Sequence, residues 1–205
     1  MDYDTIQWSL DNDVAEIIMT RNASATALNA RMCDELRLTH MDAPLISAVN
    51  GSAGGAGFSL ALAADVVLAS DRARFVSAYT ASGLTPDGAL TYFLAKHIGL
   101  LRAKELILTN RVLDAREACD WGLVTRVVAS EQLMTEARKL AATLASGPTR
   151  AFGGARRLLE TAYSESLESQ LDKETRTIAA MMRTQDGQTG IEAFLSRQTP
   201  DFRGN

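Results

Sequence analysis

The chain contains the stretch Leu45-Ile46-Ser47-Ala48-Val49-Asn50-Gly51-Ser52-Ala53-Gly54-Gly55-Ala56-Gly57, in which an apolar run leads into a glycine-rich turn. A second apolar run follows from Phe58. The pattern predicts a buried strand, a turn and a helix. Glycine permits positive φ and close approach of a ligand to the main chain. The first N–H groups of a helix have no internal partner and can stabilise an oxygen that gains negative charge. A tight strand-to-helix connection explains the same glycines, and glycine content alone does not choose between the two.

Other glycine and serine motifs do not fit this turn. A P-loop needs a Lys after its last glycine, and a dinucleotide fingerprint needs Gly-x-Gly-x-x-Gly, but Gly55-Ala56-Gly57 is followed by Phe58-Ser59-Leu60. Ser59 has no flanking glycines of the kind a nucleophile elbow requires, and no signature ties His40 or His97 to it. Ser59 is therefore interpreted as a small helix residue that could line a pocket.

The order of the predicted elements indicates an α/β core over residues 1–145 and a helical C-terminal region over 146–205. The predicted strands are Thr5–Leu10, Val14–Thr20, Leu45–Val49, Val66–Ala69, Arg74–Ser77 and Leu123–Val128. The predicted helices are Ala27–Leu36, Phe58–Ala64, Leu101–Thr109, one opened by a capping box at Asp114–Glu117, one from Ser130 to about Ala145, Arg150–Tyr163, Leu167–Thr184 and Gly190–Arg197.

Composition narrows the range of partners and compartments. A formal net charge of −4 argues against non-specific nucleic-acid binding, which needs a basic face. The longest apolar run, Phe58–Ala69, contains Asp65 and is too short to cross a bilayer. The start Met1–Asp4 is acidic, unlike a signal peptide, and Cys33 and Cys119 lack metal or disulfide spacing. We expect a cytoplasmic protein with buried reduced thiols, no metal and no membrane partner.

The segment Leu84-Thr85-Pro86-Asp87-Gly88 offers a second candidate for chemistry. Pro86 disfavours helix at Thr85, so Asp87 is expected at or near the start of the next helix. A helix N-cap is the simpler account of this aspartate. It could instead shuttle a proton if an apolar pocket from Phe75, Tyr79 and Leu84 raises its pKa.

Together these residues resemble the enoyl-CoA hydratase/isomerase, or crotonase, superfamily. The resemblance rests on Pro44–Gly51, Gly54–Gly57, Leu60–Asp65 and Ala73–Phe75, and it continues through segments further along the chain: Leu108–Arg111, Ala118–Val124 and Phe194–Phe202. It implies an α/β spiral of ββα units with a helical trimerisation region, and a homotrimer or a dimer of trimers. It also implies an acyl-CoA substrate and no cofactor apart from the coenzyme A of that substrate.

The resemblance implies an oxyanion hole of two backbone N–H groups, one of which maps to Ala56. The second normally comes from an earlier Gly-x-Gly-x-x-Phe-x-Ala-Gly-x-Asp-Leu segment that has no counterpart near Leu36–His40. This segment is either a true deletion, which would inactivate the chain, or a stretch omitted from the sequence. An intact mass of the purified protein distinguishes the two.

The positions of the two hydratase glutamates map to Ser59 and Tyr79, so two-glutamate hydration is not expected. The stretch Gly83–Asp87 instead resembles the branch of isomerases in which a single Asp moves a proton, including the ring-epoxide isomerase of phenylacetate breakdown. Asp87 is then the catalytic residue. The implied substrate pocket and CoA-binding residues are Gly57, Ser59, Tyr79, Leu84, Pro86 for the pocket and Ala25, Ala27, Phe194, Phe202 for CoA.

The expected reaction is therefore a double-bond shift in an enoyl-CoA. Two alternatives remain open. One is an enoyl-CoA hydratase or an enzyme that processes an aromatic acyl-CoA by attack of Asp87. The other is a homologue that binds acyl-CoA without catalysis.

Overall fold

The computed structural model describes residues 6–19 and 41–205. The predicted helix Ala27–Leu36, Cys33, His40 and the candidate CoA-binding residues Ala25 and Ala27 lie outside the described residues. The described residues form two compact units, the first from 6–11, 15–19 and 45–139, and the second from 12–14, 41–44 and 140–205.

A β-hairpin opens the described chain, as the turn-forming triplet Asp11-Asn12-Asp13 between two apolar segments predicts. Strands β1 (Ile6–Asp11) and β2 (Val14–Met19) form a two-stranded sheet. Asn12 and Asp13 join them with φ of 47° and 62°. Positive φ at both central residues defines a type I′ turn, whose twist matches that of the paired strands. Asn and Asp tolerate this conformation better than other residues that carry a side chain.

Two successive strand–strand–helix units form the centre of the first unit. The first consists of β3 (Ile46–Val49), β4 (Ser52–Gly54) and α1 (Ala56–Leu62), and the second of β5 (Val66–Ser70), β6 (Arg74–Val76) and α2 (Leu90–Thr109). Each strand of one pairs in parallel with its equivalent in the other, with Ile46 opposite Val66 and Ser52 opposite Arg74. This stacking confirms the predicted spiral. The sequence did not predict β4, because Ser52–Gly54 lies inside the glycine-rich segment.

The next segment closes both sheets. Strand β7 (Leu113–Asp114) pairs antiparallel with β6, helix α3 spans Ala115–Asp120, and β8 (Arg126–Val128) pairs in parallel with β5. The Asp114 carboxylate accepts a 2.9 Å hydrogen bond from the N–H of Glu117, which confirms the predicted cap. The predicted strand Leu123–Val128 is too long, because Leu123 and Val124 donate their N–H groups to the carbonyl of Ala118 instead of to a neighbouring strand.

Helix α2 is longer than the predicted Leu101–Thr109. Its first half begins at Leu90, and Gly99, with φ 76° and ψ 163°, separates it from the second half. Glycine adopts this non-helical conformation without a steric penalty. The sequence predicts a mostly helical chain from Gly88 onward, but it assigns no particular helix before Leu101.

The core of the first unit is built from helices α1 and α2 and the sheets they cover. The rings of Phe58 and Phe75 lie 5.2 Å apart between centroids, and both side chains are almost fully buried. Leu90, Leu94 and Leu106 of α2 are also almost inaccessible. Burial of side chains of this size contributes roughly 1.5–3 kcal/mol each, so the contact between Phe58 and Phe75 stabilises the packing of α1 on β6.

The second unit consists mainly of helices. Helix α4 (Leu133–Ala145) runs across the boundary between the units, and α5 (Thr149–Thr161), α6 (Leu167–Met181) and α7 (Gln185–Ser196) follow. Asp186 is 3% exposed, and its two carboxylate oxygens accept 2.8 Å and 2.7 Å hydrogen bonds from the N–H groups of Arg203 and Gly204. This contact ties the end of the described chain to α7.

Candidate active site

The glycine-rich turn leaves two N–H groups at the start of α1 outside the helical ladder. Gly55 has φ 53° and ψ −126°, and its carbonyl accepts hydrogen bonds from Phe58 at 2.9 Å and Ser59 at 3.3 Å. The N–H groups of Ala56 and Gly57 precede the first donor of the ladder. They can therefore donate to an oxygen outside the helix, as predicted for Ala56 if it is an oxyanion donor.

Gly55 also brings the ring of Tyr79 beside this turn. A Cβ atom placed on Gly55 would lie 3.6 Å from Tyr79 Cζ and 3.8 Å from the carbonyl oxygen of Ser77. The Gly55 N–H donates a 3.0 Å hydrogen bond to the carbonyl of Val76, which fixes the turn against the strand that leads to Tyr79. The residue that precedes Ala56 is thus held against Tyr79.

Ser59 connects α1 to the loop that carries Asp87. The serine is 2% exposed, and its hydroxyl donates a 3.0 Å hydrogen bond to the main-chain carbonyl of Asp87. A Cβ atom on Gly88 would lie only 3.0 Å from Ser59 Cβ, so the two segments are in close contact. A hydroxyl that gives its proton to a carbonyl is not poised as a nucleophile.

Asp87 does not cap the following helix, and the N-cap interpretation of this residue is wrong. The residue before α2 is Ala89, with φ 63° and no side-chain cap, and Leu90 donates its N–H to the main-chain carbonyl of Asp87. The carboxylate is directed elsewhere, because its Oδ1 accepts a 2.5 Å hydrogen bond from the Tyr79 hydroxyl. Tyr79, Ser59 and Asp87 are therefore brought together.

The Tyr79 hydroxyl is held in its protonated form. Burial and, to a smaller extent, the hydrogen bond to the Asp87 carboxylate raise the pKa of Tyr79 to about 12, against a smaller opposing contribution from Ser59. A phenol at this pKa is a donor throughout the neutral range. Ser59 and Tyr79 thus occupy the mapped glutamate positions as hydrogen-bond donors, and neither can act as a carboxylate base.

The apolar pocket expected around Asp87 is not formed by all of the residues named for it. Phe75 is 0% exposed and belongs to the core, whereas Leu84 is 61% exposed. Asp87 itself is exposed and Pro86 is half-buried. Phe75 is therefore a core residue and does not line a pocket, whereas the assignment of Leu84 to the substrate pocket stays a prediction.

The two aromatic residues predicted to contact CoA, Phe194 and Phe202, lie in the second unit and line the same cavity of about 340 Å³. Phe194 is 82% exposed, and the Phe202 ring would lie 3.3 Å from a Cβ atom placed on Gly190.

Cys119 is a half-buried free thiol. Within residues 6–19 and 41–205, no group of three or more His, Cys, Asp or Glu side chains could hold a metal ion. No helix in those ranges is both long and apolar enough for a membrane span.

Comparison with known proteins assigns the family. The sequence model of the family described as enoyl-CoA hydratase/isomerase matches residues 12–205. The chain belongs to the enoyl-CoA hydratase/isomerase family. The match takes in the glycine-rich turn, Tyr79 and Asp87, so the site described above lies within the segment that defines the family.

Relatives similar to this chain are named as different enzymes. The 1,2-epoxyphenylacetyl-CoA isomerase of Escherichia coli is 39% identical over 168 residues, which cover 82% of this chain and 64% of the isomerase. The 2,3-dehydroadipyl-CoA hydratase of the same organism is 34% identical over 193 residues, which cover 94% of this chain and 74% of the hydratase. The chain thus spans less than two thirds of the length of the isomerase.

The fold is that of the crotonase superfamily. The crystal structure of an enoyl-CoA hydratase/isomerase from Cupriavidus metallidurans CH34 superposes with a TM-score of 0.90 at 31% identity, covering 100% of this chain and 98% of that one. The predicted fold class, a spiral of ββα units followed by a helical region, is therefore confirmed.

Proposed function

We propose that this protein is an enoyl-CoA isomerase that shifts a double bond by proton transfer through Asp87. The observation that carries the proposal is the direction of the Asp87 carboxylate. It does not cap α2, and it is bonded to Tyr79, whose ring lies beside the turn that presents the Ala56 N–H. A base and an oxyanion donor on one rigid framework are what enolisation of a thioester requires.

The proposed reaction conserves atoms and electrons. Asp87 takes a proton from the α carbon of a 3-enoyl-CoA, and the electron pair of the broken C–H bond delocalises into a dienolate. The Ala56 N–H donates to the thioester oxygen as it gains negative charge, and one such donor is typically worth ~3–4 kcal/mol in the transition state. Asp87 then returns the proton to the γ carbon, which gives the 2-enoyl-CoA and restores the carboxylate.

The neighbours of Asp87 favour isomerisation over hydration. Hydration by this family's route needs two carboxylates to hold and activate water, but the matching residues are Ser59 and Tyr79. The Ser59 proton is committed to the Asp87 carbonyl, and the pKa of Tyr79 is raised to about 12. Among the residues that the structure describes, Asp87 is the carboxylate bonded to Tyr79. A single carboxylate can take and return the same proton without a metal or redox cofactor.

The substitution Asp87→Asn tests the proposal on the full-length protein with a 3-enoyl-CoA substrate. We expect turnover to fall by roughly 10²- to 10⁴-fold, the usual contribution of a general base, with little change in thermal stability. Asp120→Asn is the matched control, because Asp120 is an exposed carboxylate at the end of α3. Full activity of Asp87→Asn would refute the role of Asp87 as proton shuttle.

The products distinguish the alternative reactions. Formation of 3-hydroxyacyl-CoA identifies a hydratase, and a covalent adduct of Asp87 with an aromatic acyl-CoA identifies a different acyl-CoA chemistry. Binding of CoA esters without turnover identifies a non-catalytic homologue. An intact mass of the expressed protein, compared with 22.1 kDa, shows at the same time whether residues are missing near Leu36–His40.

Two further parts of the proposal concern the contacts with CoA and the location of the protein in the cell. We assign the adenine end of CoA to the backbone at Ala25 and Ala27, and a further contact to Phe194 and Phe202. Support for the latter pair is that both line one cavity, with Phe194 largely exposed. We place the protein in the cytoplasm.

We also propose that the chain assembles as a homotrimer or a dimer of trimers. The second unit exposes many large apolar side chains, each more than half accessible: Leu159, Tyr163, Leu167, Leu171, Ile178, Met182, Phe194 and Leu195. A contiguous patch of exposed apolar side chains is typical of an interface, and the number of such side chains in this unit supports the proposal.

A further inference from the structure

Tyr79 contacts both parts of the proposed site. Its ring lies beside Gly55, next to the Ala56 N–H, and its hydroxyl donates to Asp87 Oδ1 at 2.5 Å. We propose that Tyr79 is a positioning residue, whose hydroxyl holds Asp87 Oδ1 and thereby directs Oδ2 towards the substrate carbon. The inference rests on the proposed function of Asp87 and adds a residue that does not itself touch the reacting atoms.

Both ends of this hydrogen bond are fixed through the main chain. On the Tyr79 side, the tyrosine carbonyl accepts hydrogen bonds from the N–H groups of Ser82 at 2.9 Å and Leu84 at 3.0 Å. On the Asp87 side, Ser59 holds the main-chain carbonyl from a buried position. A carboxylate on a loop gains a defined direction only if the loop and the partner are both fixed, and here both are.

The 3₁₀ turn that follows Tyr79 is hydrogen-bonded to helix α2. The Thr80 hydroxyl donates a 2.6 Å hydrogen bond to the carbonyl of Ile107, and the Asn110 amide donates at 2.5 Å to the Thr80 hydroxyl. Gly83, with φ 71°, ends the short 3₁₀ turn Thr80–Ser82. The tyrosine is therefore attached to the body of the first unit through its neighbour as well as through its own ring.

The charge state of the pair suits this role. Because burial and the hydrogen bond to Asp87 raise the pKa of Tyr79 to about 12, the phenol keeps its proton at neutral pH and does not compete with Asp87 for the substrate proton. A neutral donor on one carboxylate oxygen leaves the other as the free basic atom. The tyrosine thus limits rotation of the carboxylate, and the expected benefit lies in the rate of proton transfer more than in substrate affinity.

Kinetics of Tyr79→Phe, Asp87→Asn and the double variant test the inference. The phenylalanine ring keeps the contact with Gly55 and loses only the hydroxyl. We expect Tyr79→Phe to lower kcat by about tenfold to a hundredfold, the usual effect of a hydrogen bond to a charged group, with KM unchanged within about twofold. In the Asp87→Asn background the same change should have almost no effect. Tyr92→Phe is the control, since the exposed Tyr92 hydroxyl contacts Lys96.

A spectroscopic measurement reads the contact without turnover. Fluorotyrosine is incorporated, and the ¹⁹F resonance of residue 79 is assigned by its loss in Tyr79→Phe. We expect it to titrate at lower pH in Asp87→Asn than in the unsubstituted protein, because a neutral amide raises the phenol pKa less than a carboxylate does.

The outcomes separate this inference from the function on which it rests. Undiminished turnover in Asp87→Asn overturns the proposed function, whatever Tyr79→Phe does. Unchanged kcat in Tyr79→Phe beside an inactive Asp87→Asn overturns the positioning role alone. Equal losses from Tyr79→Phe in both backgrounds, or an identical ¹⁹F titration in the two proteins, also refute it.

Discussion

The Tyr79 hydroxyl and the Asp87 carboxylate are eight positions apart and joined by a 2.5 Å hydrogen bond. The chain closes this distance with a short 3₁₀ turn, a left-handed Gly83 and the segment Leu84–Pro86. The same tyrosine packs beside Gly55, so a residue from the loop after β6 borders the turn after β4. Because β4 and β6 are parallel neighbours, the loops that leave their carboxyl ends meet at one edge of the sheet. The candidate site is thus a consequence of the strand pairing.

Substitution of Gly55 by Ala should damage both the fold and the site. The backbone at φ 53° and ψ −126° is unfavourable for a residue with a Cβ atom, and strain of this kind costs about 1–3 kcal/mol. We expect a fall of that size in the free energy of unfolding, measured by urea denaturation. Turnover should fall further, because relaxation of the strain moves the Ala56 N–H.

Gly51→Ala is the matched control for this turn. A Cβ atom on Gly51 meets nothing within 4 Å, and Gly51 is not among the residues with positive φ. The control should unfold within about 0.5 kcal/mol of the unsubstituted protein, as surface substitutions usually do. If both alanine variants behaved alike, the conformation of Gly55 would not be the reason for glycine at this position.

Local patterns in the sequence predicted the elements that local chemistry determines. The Asn12–Asp13 turn and the Asp114 cap were found because their side chains act within a few residues of their own position. The contact between Ser59 and Asp87 could not be found this way, because its partners are 28 positions apart. The sequence contains no signal that a serine hydroxyl will meet one particular carbonyl; only the packing of α1 against the loop before α2 creates it.

The site residues themselves were identified from the family resemblance more than from physical patterns. Asp87 looks like a helix cap in the local sequence, and only the left-handed Ala89 and the start of α2 at Leu90 exclude that role. The exposed position of Leu84 was equally invisible, since an apolar residue beside a proline is found both in cores and on surfaces. Which oxygen of Asp87 is bonded depends on tertiary structure alone.

Alkaline pH should weaken the fold through Tyr79. The pKa of this phenol is raised from 10.0 to about 12, so the folded state favours the protonated form. The contribution of this raised pKa to the free energy of unfolding is fully present below pH 10 and is lost as the pH rises through about 12. We expect the stability difference between the unsubstituted protein and Tyr79→Phe to be constant from pH 7 to 9 and to shrink above pH 10.

Urea denaturation of both proteins across this range measures the difference directly, and lysine titration cancels because both proteins contain the same lysines. Tyr92→Phe provides a second comparison, because it removes a tyrosine hydroxyl that accepts a hydrogen bond from Lys96. A stability difference for Tyr79→Phe that stays flat to pH 12 would contradict the raised pKa.

Self-association should depend on the apolar face of α6. Leu171 and Ile178 lie seven residues apart, two helical turns, and are 53% and 63% exposed. Light scattering coupled to gel filtration should give about three or six times 22.1 kDa for the unsubstituted protein. Because buried unpaired carboxylates are costly, Leu171→Asp combined with Ile178→Asp should lower that mass towards a monomer. Ala180→Asp places a single carboxylate on the opposite side of α6, at another exposed position, and should leave the mass unchanged. A monomeric unsubstituted protein, or an assembly indifferent to the paired substitution, would show that this face is not the interface.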